Sequence, residues 1–373
     1  MEIKKIKVPF TIKKPVLALG AQTKNTLCFA KGNYAYLSRV HQDLNNPKDL
    51  FNFEKDAAYF LKKHPKVIAY DLHPEYQSSK YALHLSAKSY ELSAIQHHHA
   101  HIASCMAERG LKNQKVIGVA FDGTGLGNDN TLWGGEFLLC DYKDFQRRAH
   151  LSQAPLLGGE MAISEPWRLT AFWLYTAYKD RFLNLGIGFT KGIRKKQWQA
   201  LKKIYLSGYD FPLSSSMGRL FDAVASLVLE KYRVNFEAQL AIELEKTATP
   251  VSGGNKSYAF KITKKNSAYI IDPIPMFKQI VSDLQDSVPK TTIAHAFHFT
   301  VAVMIKKTCL ILRKEHKANK IVLSGGVFQN NLLLRLSRDL LYKEGFQVFV
   351  PRDLFCNDAG LSLGQALIAG GVS

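Results

Sequence analysis

Val16-Leu17-Ala18-Leu19-Gly20-Ala21, followed by Asn25-Thr26-Leu27, has a counterpart about a hundred residues on in Ile117-Gly118-Val119-Ala120-Phe121-Asp122, followed by Asn130-Thr131-Leu132. Each copy reads as an apolar strand, a small or polar turn, and a second strand opening with Asn-Thr-Leu. Two copies of a strand–turn–strand unit suit a duplicated, two-lobed fold with a nucleotide between the lobes; chance similarity is the alternative. Outward from these runs, β-rich stretches at Val67–Tyr70, Val116–Phe121, Glu136–Cys140, Ile321–Leu323 and Val348–Val350 alternate with segments of helical period. The latter cover Ala94–Glu108, Pro166–Tyr178, Gly218–Tyr232, Ile293–Lys314 and Asn331–Lys343. Strands alternating with helices predict an α/β protein with substantial sheet. Thr249–Lys256 reads as a surface loop, and residues 179–210 show no clear period.

The chain has 373 residues, room for a large core and for two lobes. Its 46% hydrophobic and 22% charged residues fall in the ordinary globular range. No apolar run approaches the roughly 20 residues that span a bilayer, so no membrane association is expected. Pro9 and paired lysines break up the basic N-terminus, which lacks a signal-peptide core, so a cytoplasmic location is the expectation. Five scattered cysteines (Cys28, Cys105, Cys140, Cys309, Cys356) form no CxxC pair and suggest neither a zinc ribbon nor a disulfide framework. The net charge of +19 favours anionic partners. Its lysines are dispersed, without an arginine-rich, aromatic-interleaved tract, so a solvated surface is favoured over nucleic-acid binding.

Gln96-His97-His98-His99-Ala100-His101 packs four of the twelve histidines into six residues. On a helix, His97 and His101 stand one turn apart on one face, the spacing at which two imidazoles share a metal ion. Imidazole suits zinc, iron, copper or nickel. His98 and His99 then point elsewhere, as packing or supporting residues.

Other segments offer ligand-facing turns. Ser324-Gly325-Gly326-Val327-Phe328-Gln329-Asn330-Asn331 joins a strand to a helix, where glycines let backbone approach a ligand and the helix start favours phosphate or adenosine. A plain turn with Asn330 or Asn331 as N-cap is the alternative. Asp122-Gly123-Thr124-Gly125 closes an apolar strand in a phosphate- or metal-facing manner, though no Walker lysine follows. Asp358 is either an N-cap or a carboxylate ligand, and Asp222, on the helix begun by Gly218, either meets a ribose or complements the helix dipole. Lys24 is a candidate to neutralise a phosphate or carbamoyl oxygen, or is one more solvated lysine.

Together these segments resemble the C-terminal transferase part of the hydrogenase-maturation carbamoyltransferase family, HypF. The strings ALGAQTKNT, YDLHPEYQSSKYA, QHHHAHIASCMAERG, FDGTGLGNDNTLWGGEF, SSMGRLFDAVASL, LSGGVFQNNLLL and NDAGLSLGQA carry it, in order from residue 18 to 366. The chain is more distantly similar to tRNA threonylcarbamoyl transferases and antibiotic O-carbamoyltransferases. The resemblance implies an actin/hexokinase-like two-lobed fold: an N-terminal linker over 1–15, lobe I over 16–114, lobe II over 115–355, and a C-terminal segment 356–373 returning to lobe I. It implies that His97, His101, Asp122 and Asp358 hold one divalent metal, iron or zinc. It further implies that Gly123, Thr124, Gly218, Asp222, Gly325, Gly326 and Asn330 surround the nucleotide, with Lys24 as a catalytic candidate. Ser215 stands where the tRNA enzymes have an aspartate, so one nucleotide contact of that branch is missing.

What the resemblance implies about activity is carbamoyl transfer from carbamoyl-adenylate, an ATP-derived nucleotide, to the C-terminal cysteine thiolate of a HypE-like protein. The acylphosphatase, zinc-finger and YrdC-like domains usual in the family do not match here, so a separate YrdC-like enzyme is expected to supply the adenylate in trans to a stand-alone transferase. Three alternatives stay open: O-carbamoylation of a small metabolite, tRNA threonylcarbamoyl transfer, and a non-catalytic nucleotide-binding subunit.

Overall fold

The first lobe opens with an unusually long strand, β1 (Ile3–Ala18), which carries its lysines outward and ends in the buried run Val16–Ala18. In the computed structural model, which describes residues 2–85, 90–248, 256–354 and 356–371, β1 pairs antiparallel with β3 (Cys28–Ser38) from Ile3↔Ser38 to Ala18↔Cys28. Residues 3–15 are therefore sheet rather than the linker expected from the sequence. Alternating burial along Lys7–Ile12 gives this half one face to bury, and pairing satisfies its backbone. β2 (Thr23–Asn25), before β3, and β4 (His41–Asp43), after it, form a short antiparallel ribbon. Then come α1 (Pro47–Leu61), β5 (Val67–Asp71), α2 (Gln77–Leu85), β6 (Glu91–Ile95) and α3 (His97–Glu108).

The second lobe runs β7 (Val116–Phe121), β8 (Gly135–Cys140), β9 (Phe145–Leu151), β10 (Ala154–Pro155), α4 (Met161–Ser164) and α5 (Trp167–Tyr178). The stretch without clear period resolves into a 3-10 turn at Lys179–Asn184, then α6 (Gly188–Gly192) and α7 (Lys195–Leu206). After β11 (Leu213–Ser214) come α8 (Met217–Leu229), α9 (Gln239–Thr247), β12 (Lys261–Lys265), β13 (Ala268–Asp272), α10 (Ile274–Gln285) and α11 (Lys290–His316). The chain finishes with β14 (Lys320–Ser324), α12 (Asn331–Lys343), β15 (Gln347–Phe349) and α13 (Leu361–Gly370). Of the expected Thr249–Lys256 loop, residues 249–255 lie outside the described residues. Helix α11 is long and apolar enough to cross a membrane by length and composition, but 72% of its most apolar window is buried in the protein.

The duplication is visible in the sheets. Lobe I orders its strands β3-β1-β5-β6; the core of lobe II's sheet is β8-β7-β14-β15. In both, the first pair is antiparallel and the next two are parallel. The echo in the sequence thus marks equivalent strands, β1 and β7, although the Asn-Thr-Leu tripeptides precede β3 and β8 rather than opening them.

Each lobe also sends its last helix to the other. Helix α3 follows β6 of lobe I yet lies against β7 and β14, and α13 follows β15 of lobe II yet lies against β1, β3 and β5. The two helices cross where Gly364 meets the Ala100 backbone, a contact without room for a Cβ. One buried cluster joins Val16, Ala103, Ala120, Val322, Leu363 and Leu367 from both lobes. The result is the two-lobed actin/hexokinase-like architecture, with a cleft between the carboxyl ends of β5, β7 and β14.

Candidate metal and nucleotide site

The helical reading of Ala94–Glu108 needs one correction. Ala94 and Ile95 belong to β6, paired with Tyr70 and Asp71, because parallel pairing with β5 claims their backbone. Gln96 then caps α3, its side-chain oxygen accepting from His99 N at 2.9 Å. The HxxxH pair therefore opens the helix and aims into the cleft. The His97 and His101 rings lie 4.9 Å apart, each at most 2% exposed.

Two carboxylates converge on them from the other lobe. Asp122 ends β7; its Oδ1 accepts from Gly123 N at 2.8 Å, leaving Oδ2 2.9 Å from His101 Nε2 and 3.7 Å from His97 Nε2. Asp358 follows β15, with Oδ1 3.5 Å from His97 Nε2 and 3.4 Å from His101 Nε2. Its neighbour Asn357 does the capping, accepting from Ala359 N at 3.1 Å, which frees Asp358 for the cleft. The four ligand atoms lie within 4.8 Å of one another.

This group fits a divalent ion. His97 Nε2, His101 Nε2 and Asp122 Oδ2 are buried without a well-aligned hydrogen bond, although His101 Nε2 and Asp122 Oδ2 stand 2.9 Å apart, and a shared metal ion would satisfy all three. Two imidazole nitrogens with two carboxylate oxygens suit zinc or iron(II). Burial opposes charge on His97, but Asp71 and Asp358 outweigh it and hold the imidazole well above its ordinary pKa. Burial likewise pushes Asp122 up, and the two histidines more than reverse it.

One supporting residue went unassigned in the sequence reading. Asp71 closes β5 as Asp122 closes β7, and its Oδ2 sits 2.7 Å from His97 Nδ1, both fully buried. It fixes the Nδ1 proton and aims Nε2 at Asp122 and Asp358, so that a metal ion displacing the Nε2 proton would meet its lone pair. The available signal was an acidic residue at the end of an apolar strand, the same one that flagged Asp122. His98 and His99 point away as expected: His98 Nδ1 faces the Gln96 amide at 3.1 Å, and His99 Nε2 the Asp141 carbonyl at 2.6 Å. Burial drops the His98 pKa to about 3, so its ring is neutral.

Asp122 and Asp358 open onto a cavity of about 780 Å³ between the lobes. Lys24, Gly123, Thr124, Gly218, Asp222, Gly326 and Asn330 all line it. Lys24 adopts a left-handed backbone, φ 47°. Gly325 lies behind the wall; its φ of 100° and its packing on the Phe121 backbone explain the glycine. Asn330 is more fully engaged than the sequence suggests. Its Oδ1 caps α12 through Leu333 N at 2.8 Å, and its Nδ2 donates to His298 Nε2 at 2.9 Å. The N-cap alternative therefore holds for Asn330, which shapes the wall with both side-chain atoms engaged. Ser215 is buried away from the cavity, donating to Glu136 Oε1 at 2.6 Å.

Fold and site together define a two-lobed α/β protein of the actin/hexokinase-like class, with a histidine–carboxylate cluster at one end of a nucleotide-sized cleft. Residues 11–108 match the HypF Kae1-like domain, and residues 118–365 match the second subdomain of the carbamoyltransferase Kae1-like domain. The carbamoyltransferase HypF of Synechocystis is 36% identical over 96% of this chain and 48% of its own length. A carbamoyltransferase HypF homolog of Cupriavidus necator is 34% identical over 95% of this chain and 91% of its own length. A crystal structure of full-length HypF in a phosphate- and nucleotide-bound form superposes with a TM-score of 0.90 at 39% identity, covering 98% of this chain and 57% of that one. The structure of T. kodakarensis HypF gives 0.85 at 30% identity, covering 98% and 48%. The chain belongs to the HypF carbamoyltransferase family and corresponds to its C-terminal part. It spans about half the length of the Synechocystis relative.

Proposed function

We propose that this chain transfers the carbamoyl group of carbamoyl-adenylate, bound in the interlobe cleft, to the C-terminal cysteine thiolate of a HypE-like protein during hydrogenase maturation in the cytoplasm. The observation that carries the reading is the cluster of His97, His101, Asp122 and Asp358 opening onto a cavity lined by both lobes, in a chain of this family. The thiolate attacks the carbamoyl carbon; the new C–S bond forms as the C–O bond to AMP breaks, and AMP leaves as an anion. A thiolate brings no proton, so no general base is required of the cleft. Lys24, which lines the cleft from lobe I, stabilises the charge developing on the leaving phosphate.

A zinc or iron ion held by the four residues would supply Lewis-acid polarisation beside the carbamoyl group. His97 is held to one tautomer by Asp71, and Asp122 is braced by the Gly123 amide, so both donors are oriented in advance. Carbamoyl-adenylate is supplied by a YrdC-like activity.

The test supplies carbamoyl-adenylate with a cysteine-tailed acceptor, unmodified tRNA, or a generic hydroxyl acceptor, and follows each by mass spectrometry. Transfer to the thiol is expected. Transfer to none refutes an enzyme, and transfer to tRNA or hydroxyl alone refutes the thiol acceptor. His101→Ala is expected to lose the bound metal that His98→Ala retains; unchanged metal content in His101→Ala refutes the site.

A further inference from the structure

The cleft is lined by six acids, Asp122, Glu160, Asp222, Glu237, Glu245 and Asp358, but among the described residues by only two cations, Lys24 from lobe I and Arg219 from lobe II. An anionic nucleotide entering it needs positive charge placed within. The start of α8 looks suited to supply it, since a helix N-terminus binds phosphate through free amides. Those amides are already committed: Met217 N donates to Gly134 O, Gly218 N to Asp122 O, and Arg219 N to the Ser216 hydroxyl. Helix α8 therefore offers the side chain of Arg219 in place of its backbone.

That side chain is only partly satisfied. It is 6% exposed; Nη2 pairs with Asp222 Oδ2 at 3.1 Å and stands 3.9 Å from Glu237 Oε1. Nε and Nη1 find no acceptor in the protein. Arginine cannot shed its proton, so burial leaves a permanent charge with unpaired donors, a state that disfavours the empty cleft and favours an anion-filled one. The guanidinium also borders the loop that carries Asp122. Gly218 packs on Gly123 so closely that a Cβ there would stand 2.9 Å from Gly123 Cα. Nη2 would stand 3.5 Å from a Cβ on Gly123, and no such atom intervenes.

We propose that the Arg219 guanidinium receives the phosphate of the bound nucleotide and so sets the preference of this cleft for a nucleotide over a nucleoside. The inference rests on the nucleotide-binding reading above and adds a residue to it. Asp222 holds the guanidinium in place through Nη2, which leaves Nε and Nη1 to meet the phosphate.

Calorimetric titration of the full chain with AMP and, separately, with adenosine tests this. Arg219→Met is expected to weaken AMP about 10- to 100-fold and adenosine by less than about threefold, with Arg219→Lys recovering part of the loss. Equal weakening of both ligands, or unchanged AMP binding, overturns the proposal while leaving the nucleotide reading standing. If the unaltered chain binds neither ligand, the nucleotide reading falls and takes this inference with it. Arg219→Met strands the Asp222 carboxylate and risks misfolding, so the double variant Arg219→Met/Asp222→Asn serves as the second arm. It is expected to lose the same preference, and retention of a full preference for AMP over adenosine overturns the proposal.

Discussion

Replacing Asp71 by Asn isolates the residue behind the histidine pair. The Asp71 carboxylate accepts twice: Oδ2 from His97 Nδ1 at 2.7 Å and Oδ1 from His73 N at 2.9 Å, and its own burial is complete. Asparagine has nearly the same shape but one acceptor oxygen, so one of the two donors must face an amide N–H₂. A buried donor left unpaired costs about 1–3 kcal/mol. If His97 is the one left, its ring loses the proton placement that keeps the Nε2 lone pair on Asp122 and Asp358. If His73 is, the β5–α2 turn loosens around it. The first outcome predicts a metal dissociation constant about 10- to 100-fold higher, which is about 1.4–2.7 kcal/mol. The assay is titration of metal-free protein with zinc against a competing chelator, paired with thermal melting of the same metal-free sample. Zinc affinity within about threefold of the unaltered chain, with no lower melting temperature, would refute the orienting role.

Further outcomes follow from the interlobe crossing and from a buried histidine. Gly364→Ala replaces a poor helix former by the best one, ordinarily a gain of about 0.5–1 kcal/mol. Here the added Cβ falls on the Ala100 backbone, so α3 and α13 must separate, and urea unfolding is expected to show a loss of about 1–3 kcal/mol instead. A stabilised Gly364→Ala would mean the crossing is looser than described. His298 lies between Ala294 O at 2.7 Å and the Asn330 amide at 2.9 Å, and burial lowers its pKa to about 4. The unfolded chain takes up that proton near pH 6.5, so the stabilisation is complete above this value. It fades as pH falls toward about 4, by up to about 3 kcal/mol. Unfolding at pH 7.5 and 5.5 is expected to show the unaltered chain losing about 1.4 kcal/mol more than His298→Gln; equal losses would contradict a neutral, buried ring.

The local reading of the histidine segment was right about periodicity and wrong about where the helix begins. Ala94 and Ile95 have no alternation strong enough to mark a strand; their strand state comes from β5 lying alongside. The basic start misled for a similar reason, since Ile6, Val8, Phe10 and Ile12 alternate with polar residues that read as a tail until β3 is placed against them. Asn330 carried two readings in the sequence. Its Oδ1, accepting from Leu333 N, makes it the cap of α12, and it lines the cavity as well. Arg219 could not have been singled out at all, because an unpaired guanidinium is defined by what surrounds it.

By itself the sequence determined the elements that short-range chemistry controls. These are the matched apolar runs Val16–Ala21 and Ile117–Asp122, the glycine turn before α12, and the HxxxH spacing that one helical turn brings onto one face. Only the tertiary structure decided that Asp122 and Asp358 reach those histidines from different strands of the other lobe. The physical reason is the helix exchange: α3 leaves lobe I to lie on the sheet of lobe II, while α13 returns to lobe I, so the carboxyl ends of β5, β7 and the turn after β15 are drawn to one point. No pattern within a single segment encodes that meeting, because it depends on two sheets being buried against each other's helices at once.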